Sequence, residues 1–215
     1  MDFNQYIEDE RLNIMLRDAL QELGNIGVAH SATALSQILN RKVDMSVPRV
    51  ALVPIEEMYK RISEVPDELV TAIATETVGG GKMDILMVMD EDSTRALLSV
   101  LRSGEIPDLA NLTELDKEIL VEVGNIIILH CVSAVNTFTG LKLYPLPPSI
   151  AVDMVNAILE HMLLKDGVYK THVLSVEVDI FTESSNIKGI VFMFPDHREL
   201  DNLMNQLYGE GWDEI

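Results

Sequence analysis

Residues 18–48 read D-A-L-Q-E-L-G-N-I-G-V-A-H-S-A-T-A-L-S-Q-I-L-N-R-K-V-D-M-S-V-P, and residues 118–148 read E-I-L-V-E-V-G-N-I-I-I-L-H-C-V-S-A-V-N-T-F-T-G-L-K-L-Y-P-L-P-P. Eight residues of the first stretch recur 100 positions later: Glu22, Gly24, Asn25, Ile26, His30, Ala34, Lys42 and Pro48 become Glu122, Gly124, Asn125, Ile126, His130, Ala134, Lys142 and Pro148. A constant offset that retains so many identities indicates an internal duplication. We therefore predict a single domain over residues 1–215, built from two repeats at about 14–103 and 113–209.

Each stretch predicts a long helix with separate polar and apolar faces. The polar face carries Asp18, Glu22 and Asn25 in the first copy and Glu118, Glu122 and Asn125 in the second. Positions spaced i, i+4 and i+7 lie on one side of an α-helix. Apolar residues follow a 3.6-residue period beside that face, which predicts that the other side is buried.

Two residues in each copy are unfavourable within a helix. Gly24 and Gly124 each cost about 1 kcal/mol relative to alanine. Asn25 and Asn125 compete with the helical backbone for hydrogen bonds. A functional reading is that the small glycine lets a partner approach the Glu/Asn face closely. The structural alternative is that the glycine allows tight packing of the helix against a sheet.

The composition narrows the possible functions. The net charge of −19 argues against nucleic-acid binding and against docking on anionic membranes. Cys131 is the only cysteine, so no intramolecular disulfide can form, which is typical of a reducing cytoplasm. We expect Cys131 to fill the core. We also expect no signal peptide and no membrane-spanning segment, because residues 1–11 are polar and no apolar run approaches 18 residues.

The two halves predict the same order of elements. The first half predicts a helix to about Leu39 that stops at Asn40, a strand at 42–53, a short helix at 55–63, a hairpin at 69–77 and 84–89 around Gly79, and a helix at 91–103. The second half predicts a helix that follows Thr113 and runs to about Phe138, a strand at 141–144, a helix at 152–164, strands at 168–181 and 187–194, and a helix at 197–208. We predict an α/β (α+β) fold with pseudo-twofold symmetry, in which one central β-sheet carries the two long helices on a face.

The sequence offers little conventional catalytic chemistry. No cluster of residues has metal-ligand spacing, and no Ser, Cys or Thr has an evident base beside it. We expect His30 and His130 to be buried and hydrogen-bonded, because both lie on the apolar side of their helices. A Glu and an Asn on a rigid helix therefore remain as the candidate functional groups.

The spacing Asp-x3-Glu-x2-Asn-x22-Pro, formed by Asp18, Glu22, Asn25 and Pro48, resembles the signature of the CheC/CheX/FliY family, phosphatases of bacterial and archaeal chemotaxis. The second copy matches at Glu122, Asn125 and Pro148, whereas Glu118 stands where the family usually has Asp or Ser. Two motifs in about 200 residues, with no further domain, resemble the CheC branch of that family most.

The resemblance implies hydrolysis of the aspartyl phosphate of the response regulator CheY, with Mg2+ bound on CheY and no cofactor on this chain. It implies that Asn25 and Asn125 position the attacking water, while Glu22 and Glu122 dock the partner through its lysine. Supporting roles follow for Asp18 and Glu118, and for Pro48 and Pro148 in the loop after the first strand.

The resemblance also implies binding of the receptor deamidase CheD through the helix predicted at 152–164, with Asp153 and Glu160 as exposed candidates. A simple core helix is the structural alternative for that segment. The alternative function is a non-catalytic adaptor for CheD or a scaffold like the flagellar-switch proteins, whose middle domains share the fold but lack the Glu/Asn pair.

Overall fold

The structure is a computed structural model that describes residues 32–38, 40–63, 65, 67–101, 109–164, 172–183, 185–195 and 205. The first-copy residues Asp18, Glu22, Gly24, Asn25 and His30 lie outside these described residues, as does nearly all of the helix predicted at 197–208. The second copy of the motif lies within them.

The elements of the first half follow the predicted order. Residues 32–38 are helical (α1), and Asn40 has the positive φ of 47° that was expected at the end of this helix. There follow β1 (Asp44–Pro54), a 3-10 turn (Ile55–Glu57), α2 (Met58–Ile62), β2 (Leu69–Gly79), β3 (Met83–Asp90) and α3 (Glu91–Leu101). Gly79 has a φ of 105°, which glycine adopts without strain, so the predicted hairpin turn is confirmed.

The second half contains a 3-10 turn (Leu109–Asn111), α4 (Glu114–Thr139), β4 (Leu143–Pro145), β5 (Ser149–Met154), α5 (Val155–Leu164), β6 (His172–Phe181) and β7 (Asn186–Pro195). The prediction of a helix from Val152 is wrong at its start, because Val152, Asp153 and Met154 belong to β5. That strand pairs with Leu69–Ala74 of β2. The backbone N–H of Val155 donates to the Glu68 carbonyl at 3.0 Å, and the helix begins there.

The seven strands of the described residues form one antiparallel sheet in the order β1-β6-β7-β3-β2, with β4 and β5 both paired to the outer side of β2. The two halves interleave: β1 pairs with β6, and β5 pairs with β2. The prediction that both halves contribute to one sheet is confirmed. The sheet is antiparallel, so the fold is of the mixed α+β kind.

Helices cover both faces of the sheet. Ile85, Met87 and Met89 of β3 belong to a core cluster with residues of α1, α3 and α4, while Leu86 and Val88 belong to a second cluster with residues of α2 and α5. This alternation follows from the two-residue period of a strand. The long motif helix α4 and the described part of the first helix thus lie on the same face, as predicted.

The helix α4 is unusually apolar. Residues Glu114–Thr137, with a mean hydropathy of 1.8, are long and apolar enough to cross a membrane by length and composition alone, which the sequence reasoning did not anticipate. A helix buried in a protein core meets the same criterion. In this fold Leu120, Val123 and Ile127 of α4 are buried in the core cluster, which explains the composition without a membrane.

Candidate functional site

The second copy of the motif lies on the outer face of α4. Glu118 and Glu122 are exposed and Asn125 is half-buried, whereas the neighbouring Val123 and Ile126 are buried. Among the described residues, the structure gives none of these three polar side chains a hydrogen-bond or ion-pair partner. The Glu/Asn face therefore points toward solvent, where another molecule can reach it.

Gly124 is explained by the sheet beneath the helix. It is buried, and a Cβ atom at this position would lie 2.4 Å from Ile73 Cδ1 and 3.0 Å from Ile73 Cγ2. Ile73 of β2 is fully buried, so it has little room to move. In the second copy, the structural alternative is therefore the correct one: the glycine permits close packing on the sheet, on the side away from the Glu/Asn face.

Both ends of α4 are fixed by side-chain hydrogen bonds. Thr113 and Asp116 form a reciprocal capping box at the first turn, with the Thr113 N–H donating to Asp116 Oδ2 at 2.8 Å. Near the other end, the Asn136 amide donates to the Leu143 carbonyl at 2.8 Å and accepts from the Leu143 N–H at 2.9 Å. Gly140 ends the helix with a φ of 71°. The Glu122 and Asn125 side chains thus project from a rigid support.

Pro148 lies between β4 and β5, two strands that contact α4. It is half-buried in the connection between β4 and β5, which is held to β2 by a bond from Leu146 N–H to the Glu76 carbonyl at 2.9 Å. Two residues later, Ile150 pairs with Ile73, the residue that packs against Gly124. The fold therefore brings the motif proline and the motif helix to one edge of the sheet.

The prediction that each motif proline lies in the loop after the first strand of its half is confirmed for Pro148 and wrong for Pro48. The backbone of Pro48 is within β1, whose register with β6 shifts between Ser46 and Arg49. Pro148 separates β4 from β5. A proline has no N–H to donate to the ladder, so each proline lies where the pairing of an edge strand is interrupted.

The surroundings of His130 and Cys131 indicate a structural role for both residues. His130 Nδ1 lies 2.7 Å from the Ile126 carbonyl oxygen on the same helix, so this nitrogen carries a proton and donates, and the predicted hydrogen bond is confirmed for a half-buried ring. Burial raises the pKa of the Cys131 thiol to about 12, which leaves it without nucleophilic character at neutral pH. No group of three His, Cys, Asp or Glu side chains that could hold a metal occurs within the described part of the chain.

The residues that follow the motif differ in their burial. The second copy has Ile127, Ile128 and Leu129 where the first has Gly27, Val28 and Ala29. Ile127 and Ile128 are buried, but the Leu129 side chain is 43% exposed. The sequence analysis did not identify this exposed leucine as a candidate residue. Its position four residues after Asn125 was the available signal.

Asp153 and Glu160, the two candidate residues for binding a second partner protein, lie on different elements. Asp153 is exposed on β5, where its carboxylate accepts a bond from the Met154 N–H at 2.8 Å, and Glu160 is exposed on α5. The other side of α5 is a core surface that buries Val155, Leu159 and Met162. The helix therefore has both a core side and a free side.

A cavity of about 390 Å³ lies on the face opposite α4. It is lined by charged residues that include Arg61, Glu177, Asp179 and Lys188, and Arg61 Nη1 lies 3.5 Å from Glu177 Oε1. No residue of the second motif lines this cavity. The Glu118 and Glu122 side chains of that motif lie instead on the exposed side of α4.

Comparison with known sequences reveals a family. The model of the CheC-like family matches residues 15–52. The CheY-P phosphatase CheC of Bacillus subtilis is 31% identical over 192 residues, which cover 86% of this chain and 90% of that protein. The flagellar motor switch phosphatase FliY of the same organism is 34% identical over 98 residues, which cover 46% of this chain and 25% of FliY.

Comparison with solved structures establishes the fold. The crystal structure of Thermotoga maritima FliY matches with a TM-score of 0.66 and 18% identity, over 89% of this chain and 96% of that one. The middle domain of FliM from H. pylori matches with a TM-score of 0.61 and 8% identity, over 90% of this chain and 98% of that one. At these identities the likeness is one of fold.

Proposed function

Because the chain belongs to the CheC-like family, we propose that it is a phosphatase that hydrolyses the aspartyl phosphate of the chemotaxis response regulator CheY. The observation that carries this proposal is the pairing of an exposed Glu122 with Asn125 on one face of a helix that is fixed at both ends. The identity to the B. subtilis CheY-P phosphatase CheC over most of both chains supports it. In the first copy, Glu22 and Asn25 have the same spacing.

The proposed mechanism assigns the bond-making step to water. The Asn125 carboxamide accepts a hydrogen bond from a water molecule and holds it in line with phosphorus. The water oxygen forms a bond to phosphorus, and the bond from phosphorus to the aspartyl oxygen breaks, so that phosphate leaves and the carboxylate is restored. CheY supplies the acyl phosphate, its Mg2+ and a lysine. This chain contributes no cofactor of its own.

Glu122 is proposed to fix the orientation of the two proteins. Its carboxylate is exposed and has no cationic partner among the described residues, so it can pair with the lysine beside the phosphorylated aspartate of CheY. Glu118 lies one turn before it and adds negative charge to the same face. Glu22 and Asp18 take the corresponding roles in the first copy.

We propose that the two copies are repeats related by a pseudo-twofold axis. The strand order is consistent with this, since each half places its first strand beside the other half's hairpin at an outer edge of the sheet. The irregularities in strand pairing agree as well. Between Ser46 and Arg49 the chain advances three residues while its partner β6 advances two. Between Pro145 and Ser149 the chain advances four residues while its partner β2 advances three. Each half thus inserts one extra residue next to its motif proline.

Coupling to the receptor deamidase CheD in the cytoplasm is part of this proposal, with Asp153 and Glu160 as contact residues. The exposure of both side chains supports the assignment. The alternative function is a non-catalytic adaptor or a flagellar-switch-like scaffold. It is favoured by the shared fold with FliM middle domains and weakened by the retention of Glu and Asn in both copies.

Phosphate release from a phosphorylated CheY tests the enzymatic proposal. Wild type, N25A, N125A and the double variant are compared, with circular dichroism as the control for folding. We expect the double variant to lose at least about a hundredfold in rate, because the positioned water is lost. If N25A and N125A each retain part of the wild-type rate, both sites work. A wild type that does not accelerate phosphate loss, with or without CheD, would refute the phosphatase and favour the adaptor.

A further inference from the structure

Two exposed leucines bracket the Glu/Asn pair on α4. Leu115 is 64% exposed and Leu129 is 43% exposed. Together with the motif they form a row that we call the α4 seam: Leu115, Glu118, Glu122, Asn125 and Leu129. Successive members are three or four residues apart, so they form a nearly straight line along one side of the helix.

The charge of this seam is confined to its middle. Glu118 and Glu122 are exposed carboxylates, whereas the exposed side chains that the structure describes on α4 after Leu129 are the uncharged Ser133 and Thr137. The described side chains that α4 exposes after Leu129 therefore add no charge to the seam. A partner that complements the seam needs a basic group opposite Glu122 and an apolar surface opposite Leu129.

Leu129 is close to the proposed site of chemistry. Residues four apart on a helix have Cβ atoms about 5–6 Å apart, so a partner that reaches Asn125 with its phosphoryl group also covers Leu129. Ile127 and Ile128 point into the core, so they cannot obstruct that approach. Burying an exposed leucine in the interface is favourable, because it removes apolar surface from water.

We propose that Leu129 is an apolar anchor that docks the receiver domain of CheY at the second site. This inference rests on the proposed phosphatase function. The first copy has Ala29 at the equivalent position, so the anchor distinguishes the two sites and gives the second a tighter hold on the partner. Leu129 takes no part in the chemistry; it acts on binding.

The test uses the full chain with its first site silenced by E22A/N25A. In that background, L129A is compared with L163A, a matched control whose leucine is 38% exposed on α5. The ligand is a CheY receiver domain whose aspartate carries beryllofluoride, a stable mimic of the phosphoryl group. Calorimetry gives Kd, phosphate release from phosphorylated CheY gives kcat and KM, and thermal melting checks folding.

We expect L129A to weaken Kd and raise KM about fivefold or more, with kcat unchanged, while L163A changes neither. An L129A variant that binds as the background does, or more tightly, overturns the anchor and leaves the phosphatase proposal intact if N125A still abolishes activity. A loss in kcat alone also overturns it. Both proposals fail if the background protein neither binds nor dephosphorylates CheY and if restoring Glu22 and Asn25 does not bring back either activity.

Discussion

Replacing Gly124 by alanine tests the packing of α4 on the sheet. In an exposed helix, the change from glycine to alanine stabilises by about 1 kcal/mol. Here the new Cβ would lie 2.4 Å from Ile73 Cδ1, 3.0 Å from Cγ2 and 3.3 Å from Cβ, all inside the ordinary contact distance. Rotating the end of Ile73 relieves only the first of these contacts. We therefore expect overpacking to exceed the gain in helix propensity.

The magnitude follows from these opposing effects. Overpacking a buried site costs about 1–3 kcal/mol, and three close contacts against a fully buried isoleucine favour the upper part of that range. After subtraction of about 1 kcal/mol for helix propensity, G124A should lower the free energy of unfolding by about 1–2 kcal/mol. The assay is urea unfolding followed by circular dichroism, with an unchanged m value.

A second substitution identifies the cause. I73V removes the Cδ1 atom and alone should cost about 0.5–1.5 kcal/mol. In the G124A background, I73V should cost about 1 kcal/mol less than it does in the wild-type protein, because losing Cδ1 removes the closest contact with the new Cβ atom. G140A is the matched control: a Cβ there meets nothing within 4 Å, so its cost should be independent of I73V. A stabilising G124A, or a coupling to I73V below about 0.3 kcal/mol, would show that the packing argument is wrong.

Three further predictions concern stability and reactivity. T113A breaks the capping box with Asp116 and should lower the free energy of unfolding by about 1 kcal/mol, measured by thermal melting against the exposed control S133A. At pH 8, burial of Cys131 leaves about a thousandfold less thiolate than an ordinary thiol of pKa 9.0, so iodoacetamide should alkylate the native protein far more slowly than the urea-unfolded chain; equal rates would contradict this. Because burial lowers the pKa of His172, an effect that Glu56 partly opposes, the unfolded chain takes up this proton first. The contribution of His172 to the free energy of unfolding should be fully present above about pH 6.5 and decrease as the pH falls below that value. The substitution H172Q should flatten this part of the curve of unfolding free energy against pH.

The order of elements was predictable because it depends on neighbouring residues. Glycine at 79 and 140 and asparagine at 40 occupy the positive-φ positions that end elements, and Thr113 caps α4 three residues before Asp116. These are local signals that operate over a few residues. They located most strands and helices without reference to the rest of the chain.

The strand β5 escaped prediction for a physical reason. Its six residues follow a proline-rich segment and continue into the apolar run of α5, so periodicity alone merged Val152–Met154 with the helix. The alternation of half-buried Ile150 and Val152 with exposed neighbours was a weak signal of an edge strand. Pairing with β2, a segment some eighty residues earlier, decided the outcome.

Residue spacing and capping act locally, so the amino-acid sequence was enough to identify the repeated motif, the helical face that carries Glu118, Glu122 and Asn125, and the order of most elements. Which side chains pack together, and which reach the surface, depends on the tertiary structure. Gly124 faces a buried Ile73, Ile128 enters the core, and Leu129 reaches the surface. The packing of one helix against distant strands made those choices, since a side chain's burial depends on what the fold places beside it.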